Sequence, residues 1–115
     1  MGIINPTGSG AWDKGIAQVL ASSSGVIHSF PESQFRALRY VVAFYNTIEN
    51  KTKTLEFIVN KESGTISTTV HNKLGKSISL GISAAIASGN LQVTVVNNET
   101  FDLEIEFGYL SLGRG

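Results

Sequence analysis

The sequence predicts an all-β fold, an antiparallel β-sandwich of about six to eight strands, Ig-like or jelly-roll-like, with an extended N-terminal arm. Three observations predict it. Residues 100–107, Thr-Phe-Asp-Leu-Glu-Ile-Glu-Phe, alternate apolar and acidic side chains with the period of 2 that marks a strand with one dry face and one wet face. Apolar runs of the same kind recur about every ten residues, separated by Gly, Asn and Ser turns, which is sandwich spacing. The length, 115 residues, suits one domain with a core that needs no cross-links.

The division read from the sequence is residues 1–22 as an N-terminal arm or short peripheral element and residues 23–115 as the sandwich. Residues 1–11 hold Pro6, three glycines and the isolated apolar pair Ile3 and Ile4. In residues 12–21, Trp12, Ile16, Val19 and Leu20 fit one helical face, while Ile16, Gln18 and Leu20 also alternate as a strand. Gly15 costs a helix about 1 kcal/mol relative to Ala, which tips the balance towards strand. Residues 26–30 form a short strand closed by Pro31, whose missing N–H ends a ladder. Residues 36–46 place Leu38, Tyr40, Val42 and Phe44 on one side and Arg39, Val41, Ala43 and Tyr45 on the other. Two partly apolar faces predict a central strand, or one covered by a partner on its second face.

Residues 53–60 and 65–71 form a hairpin, with Leu55, Phe57 and Val59 facing Ile66, Thr68 and Val70 inward and Gly64 in the turn. Residues 72–75 read as another turn. Residues 77–85 alternate Ile78, Leu80, Ile82 and Ala84 with small residues. Residues 91–96 and the 100–107 strand follow, with Phe101, Leu103, Ile105 and Phe107 inward. Mostly non-local pairing of this kind predicts slow folding.

Composition excludes several function classes. No cysteine is present, so disulfides and thiolate metal sites are excluded. Nine basic residues balance nine acidic ones and are scattered, which argues against a phosphate-tracking nucleic-acid patch. The apolar windows are too short to span a membrane, and the first residues lack the basic region and apolar run of a signal peptide. His28 and His71 have neither metal nor triad spacing and read as structural or surface residues. The serines include no nucleophile elbow: in Gly81-Ile82-Ser83-Ala84-Ala85 the second glycine is missing. The expectation is a non-enzyme without cofactor or metal. Asp102, Glu104 and Glu106 lie about 7 Å apart along a strand, too far for a compact cation cage, and read as the solvated back of a core strand. Trp12, Tyr40 and Tyr45 are candidates for an aromatic platform, and Asn97-Asn98 for a polar contact loop. The residues expected to touch partners are Ile3, Ile4, Trp12, Ile16 and Leu20, because a large apolar anchor in a peripheral segment suits docking.

Several stretches carry a resemblance: Ser29-Phe30, then Phe35-Arg36-Ala37-Leu38-Arg39-Tyr40-Val41-Val42, then Leu55-Glu56-Phe57-Ile58-Val59. Leu74-Gly75 and Ile86-Ala87-Ser88-Gly89-Asn90-Leu91-Gln92-Val93-Thr94-Val95 continue it. Over residues 26–110 the chain resembles small β-domains of virion structural proteins of tailed bacteriophages, especially those infecting cyanobacteria. It departs from them in the hairpin Val59-Asn60-Lys61-Glu62-Ser63-Gly64-Thr65 and at Val70-His71-Asn72. The resemblance implies a virion part (capsid decoration, neck, tail or fibre subunit) assembled in the host cytoplasm and acting as a homo-oligomer with other virion proteins. Neither nucleic acid nor membrane is an implied partner; a host-surface glycan is the alternative one.

Overall fold

Period-2 alternation becomes two antiparallel sheets packed face to face. The structure, a computed structural model, describes residues 12–75 and 77–113. Its strands are β1 (Trp12–Val19), β2 (Ser24–Pro31), β3 (Ala37–Asn46), β4 (Lys51–Glu62), β5 (Thr65–Gly75), β6 (Leu80–Ala87), β7 (Asn90–Asn97) and β8 (Leu103–Leu112), with one 3-10 turn at Glu32–Gln34. The larger sheet has the order β1-β8-β3-β4-β5 and the smaller β2-β7-β6. First strand pairs with last and second with second-last, the nesting of a jelly-roll-like sandwich.

The core sits where the inward rows of the two sheets meet. On β3, Leu38, Tyr40, Val42 and Phe44 are wholly enclosed. Leu55, Phe57 and Val59 on β4, and Leu103, Ile105 and Phe107 on β8, flank them, and Leu91, Val93 and Val95 of β7 close over from the other sheet. Each such side chain contributes about 1.5–3 kcal/mol by leaving water. β3 lies between β8 and β4, so it is the central strand its two apolar faces imply. The β4–β5 hairpin turns at Ser63 and Gly64, both with positive φ (53° and 78°), the two-residue geometry that matches strand twist. Ser88 and Gly89 (φ 53° and 80°) make the same turn between β6 and β7.

Four local expectations need correction. Residues 72–75 are the end of β5, not a turn: the ladder shifts register between Thr54 and Glu56, and Asn72 takes the extra place at φ 56°. A bulge absorbs one residue and lets pairing resume. Residues 77–79 precede β6, although Ile78 is buried in the core. Phe101 is half-buried and precedes β8, because the chain is still turning: the Asp102 carboxylate accepts the Ala21 N–H (2.9 Å), and Asn46 Nδ2 donates to the Asp102 carbonyl (2.6 Å). Thr68 faces water, while Ile66 and Val70 beside it pack on the core.

Within the 1–22 span, Trp12–Val19 is an edge strand, paired with β8 at every residue. No described segment is an α-helix.

Candidate interaction surface

Registers across the larger sheet place its outward side chains in rows. One row runs Trp12, Leu110, Arg39, Ile58; the next Lys14, Gly108, Val41, Glu56; the next Ile16, Glu106, Ala43, Thr54. Adjacent strands lie about 4.8 Å apart, so these residues form one continuous patch. It is more apolar than a solvated sheet face needs to be: Trp12 is 50% exposed, Ile16 80% and Val41 42%. The Trp12 indole lies over Gly108, where no side chain stands in its way. A groove of about 500 Å³ opens there, lined chiefly by Trp12, Lys14, Ile16, Val41, Ala43 and Glu106. One cationic and one anionic group thus border an apolar floor.

Across the sheet the groove gives way to a polar cluster. Arg39 Nη2 donates to both Glu56 oxygens (3.2 and 3.1 Å), Asn72 Nδ2 donates to Oε1 at 2.8 Å, and His71 Nε2 lies 3.6 Å from the same oxygen. The Asn72 hydrogen bond, with those and the charge of Arg39, holds the Glu56 carboxyl below its usual range. These contacts tie Arg39 of β3 to Glu56 of the neighbouring β4.

His28 occupies a different place. It lies on β2 beside a register shift and reaches between the sheets, with its ring 4.3 Å from that of Tyr109 and 5.3 Å from that of Phe107. Nδ1 is 2.9 Å from the Tyr40 hydroxyl. Burial lowers the His28 pKa from 6.5, against the opposing charge of Asp13, and burial raises that of Tyr40. Both shifts favour neutral groups, and a fully enclosed O–H must donate. The Tyr40 hydroxyl therefore donates to Nδ1. His28 is a partly buried structural residue and His71 lies at the surface, within the reading of both as structural or surface histidines.

The residues expected to touch partners separate. Trp12 and Ile16 share the groove. Leu20, 56% exposed, lies beyond the end of β1 and does not join it. Ile3 and Ile4 lie outside the described residues. The aromatic platform of Trp12, Tyr40 and Tyr45 does not form, because Tyr40 points inward and is enclosed while Tyr45 stands in the row of Gln18 and Glu104, three rows along the strands from Trp12. Asn97 is equally unavailable for contacts. Buried at 1% exposure, it donates through Nδ2 to the carbonyls of Val19, Leu20 and Phe101 (3.2, 3.2 and 2.8 Å) and pins the corner between the sheets. Glu106, read as part of a solvated back, borders the groove instead. Leu110, Ile58 and Gly108 were missed. The second apolar face of β3 was their signal, since it required a covered or contacting surface without naming its neighbours.

Among the described residues no group of three His, Asp or Glu side chains could hold a metal ion. Neither a protein-family model nor a curated protein matches the chain. Two solved structures are similar to it at low identity, and the first shares its fold. The tailspike protein of Acinetobacter baumannii phage AM24 is 7% identical, with a TM-score of 0.54 over 91% of this chain and 27% of that one. The tailspike protein of Acinetobacter phage vB_ApiP_P1 is 12% identical, with a TM-score of 0.46 over 90% of this chain and 21% of that one. The chain therefore spans about a quarter of the tailspike chains it is similar to.

Proposed function

We propose that this domain is a non-enzymatic structural module of a tailed-phage virion, belonging to the tail and working through protein–protein contacts in an oligomer. The observation that carries the contact role is the outward face of the larger sheet, where a half-exposed Trp12 lies on Gly108 among Ile16, Val41 and Ala43. A tryptophan seated in an apolar groove with charges at the rim has the composition of an interface centre. The phage context is supported by the sequence resemblance over residues 26–110 and by the fold shared with the AM24 tailspike. A rigid sandwich of two sheets suits the role, because repeated copies turn modest contacts into firm attachment.

The experiment has two parts. Mass spectrometry of purified virions should find the chain among tail components; its absence from particles overturns the reading. Trp12→Ser with Ile16→Ser should weaken self-association or partner binding by about tenfold or more and leave the circular dichroism spectrum unchanged. Unaltered binding would remove the groove from the interface. A second reading is favoured by one feature: the exposed Trp12 ring, flanked by Lys14 and Glu106, also suits stacking and hydrogen bonding to a host-surface glycan. A glycan array probed with the assembled protein separates the two.

A further inference from the structure

The two sheets differ in width. Five strands span about 19 Å between outer axes and three span about 10 Å, so the smaller sheet falls short by about two strands. On one side β1 lies against β2. On the other, the shortfall leaves the inward residues of β5 incompletely covered: Ile66 and Val70 are only half-buried, and Thr68 between them is exposed. Beside them runs β6, whose only sheet partner among the described residues is β7. Leu80, Ile82, Ala84 and Ile86 pack on the core yet stay half-exposed, whereas Leu91, Val93 and Val95 of neighbouring β7 are fully enclosed.

The four edges of this sandwich are unequally guarded. An unguarded strand edge is a template for another chain, and proteins block it with charges, prolines, bulges or inward-pointing polar groups. β1 carries Asp13 on its inward row and Lys14 on its outward one. β2 has a register shift at Ile27, the inward His28 and a terminal proline, Pro31. β5 has its bulge with Asn72 at positive φ, flanked by His71 and Lys73. β6, Leu-Gly-Ile-Ser-Ala-Ala-Ile-Ala, has no charge and no proline, and keeps unbroken register with β7 over its eight residues. Its outward side chains are Gly81, Ser83, Ala85 and Ala87, which leave the approach clear.

We propose that β6 is a strand-acceptor edge and that residues 1–5 of a second copy of this chain lie along it, beneath Ile66 and Val70 of β5. The inference rests on the assembly reading above and names the contact that builds the assembly. The eleven residues before Trp12 contain no charged side chain, which matches an uncharged edge. Ile3 and Ile4 are adjacent, so either register turns one isoleucine into the slot. Pro6 stops the pairing there, at a strand end where proline is tolerated. Extended, residues 1–11 reach about 36 Å, enough to leave one sandwich and enter another.

Strand direction argues for a second copy. Ala87, at the end of β6, pairs with Asn90, which pairs with Pro31, and the Glu32 N–H donates to the Gly89 carbonyl. Lys61 Nζ donates to the Glu32 carbonyl, which places this end of β6 at the end of the sandwich where Trp12 pairs with Leu110. The chain's own residues 1–5, entering from Trp12, would therefore run parallel to β6. Every other pair in both sheets is antiparallel. A segment from a neighbour enters from the opposite end and keeps the antiparallel pattern.

The test follows association of the full chain by sedimentation and native mass spectrometry. The acceptor variant is Ala84→Lys: in the monomer the new side chain can snorkel out of the open edge, but a strand laid along β6 would cover its charge. Association should weaken by about a hundredfold. The donor variant lacks residues 2–11. Each variant alone should be monomeric and melt cooperatively, and the two mixed should form a one-to-one heterodimer, because one keeps the edge and the other the arm. If Ala84→Lys lowers the melting temperature, Ala85→Lys on the exposed outer face replaces it. A monomeric wild type, a mixture that stays monomeric, an edge variant that associates normally, or a deletion that still associates each overturns the exchange. Association that survives the edge variants and is lost with Trp12→Ser and Ile16→Ser overturns the exchange alone and leaves the assembly reading standing. Absence from virions sinks that reading without touching the exchange.

Discussion

Gly15 on β1 offers a test in which propensity and packing predict opposite signs. It pairs with Phe107 of β8, whose ring lies directly beneath it. A Cβ at position 15 would stand 2.8 and 2.9 Å from the Cε2 and Cε1 carbons of that ring and closer still to Cζ. The ring cannot swing away freely, because Phe107 is 4% exposed and packs on His28, Tyr40 and Tyr109 at centroid distances of 5.3, 6.1 and 6.2 Å. Propensity alone makes Gly→Ala in a strand stabilising by about 0.5–1 kcal/mol. Overpacking against an immobile ring costs about 1–3 kcal/mol. Gly15→Ala should therefore destabilise the domain by about 1–2 kcal/mol net.

Gly81 on β6 is the control. The nearest atom to its added Cβ is Val96 Cβ at 4.0 Å, ordinary contact distance, so Gly81→Ala should leave stability equal or higher. Urea melts supply both values. The double variant Gly15→Ala with Phe107→Leu should be more stable than the sum of the single changes predicts, since leucine vacates the space that alanine enters. A stabilising Gly15→Ala, or strict additivity in that cycle, would refute the packing argument.

Three further outcomes follow from the same geometry. Phe107→Ala should cost about 3–5 kcal/mol, whereas Phe101→Ala, half-buried before β8 and capped by the Lys51 ammonium 5.3 Å from its ring, should cost clearly less in the same thermal melts. Asn97→Ala should cost about 3 kcal/mol, because buried carbonyls at the corner lose their donor at about 1–3 kcal/mol each. Stability should also fall with pH through His28. Above its unfolded value of 6.5 both states are neutral; below it the unfolded chain takes up a proton that the folded ring refuses, and the loss levels off only below the lowered folded pKa. Denaturation at about pH 7.5 and about pH 5.5 should show this loss in the wild type and a smaller one in His28→Gln.

Much of the fold was legible because a strand's period of 2 is written in local sequence. The inward rows of β3, β4, β7 and β8 could be read residue by residue, since burying one face demands it. The turns at Ser63-Gly64 and Ser88-Gly89 announced themselves through residues that accept positive φ. Less legible were features that depend on what lies across a sheet. The bulge at Asn72 looks like a turn in sequence, because an extra residue in a ladder and the start of a loop use the same residue types. Phe101 continues the alternation of β8, yet Asn46 and Ala21, distant in sequence, capture Asp102 and hold the chain out of the ladder there.

The candidate surface divides in the same way. Trp12 and Ile16 could be singled out as apolar residues in a peripheral stretch, and Val41 and Ala43 as a second apolar row on β3. That they form one groove depends on β8 lying between β1 and β3, which only long-range pairing establishes. Whether a polar side chain is a contact or a strut was likewise a tertiary decision: Asn97 has the composition of a loop tip and the environment of a core. By itself the sequence determined which residues must leave water and the periodicity with which they do so. The tertiary structure decided which strands became neighbours, and therefore which edge was left unguarded, because edges arise from the order of strands and no single strand encodes its own place in a sheet.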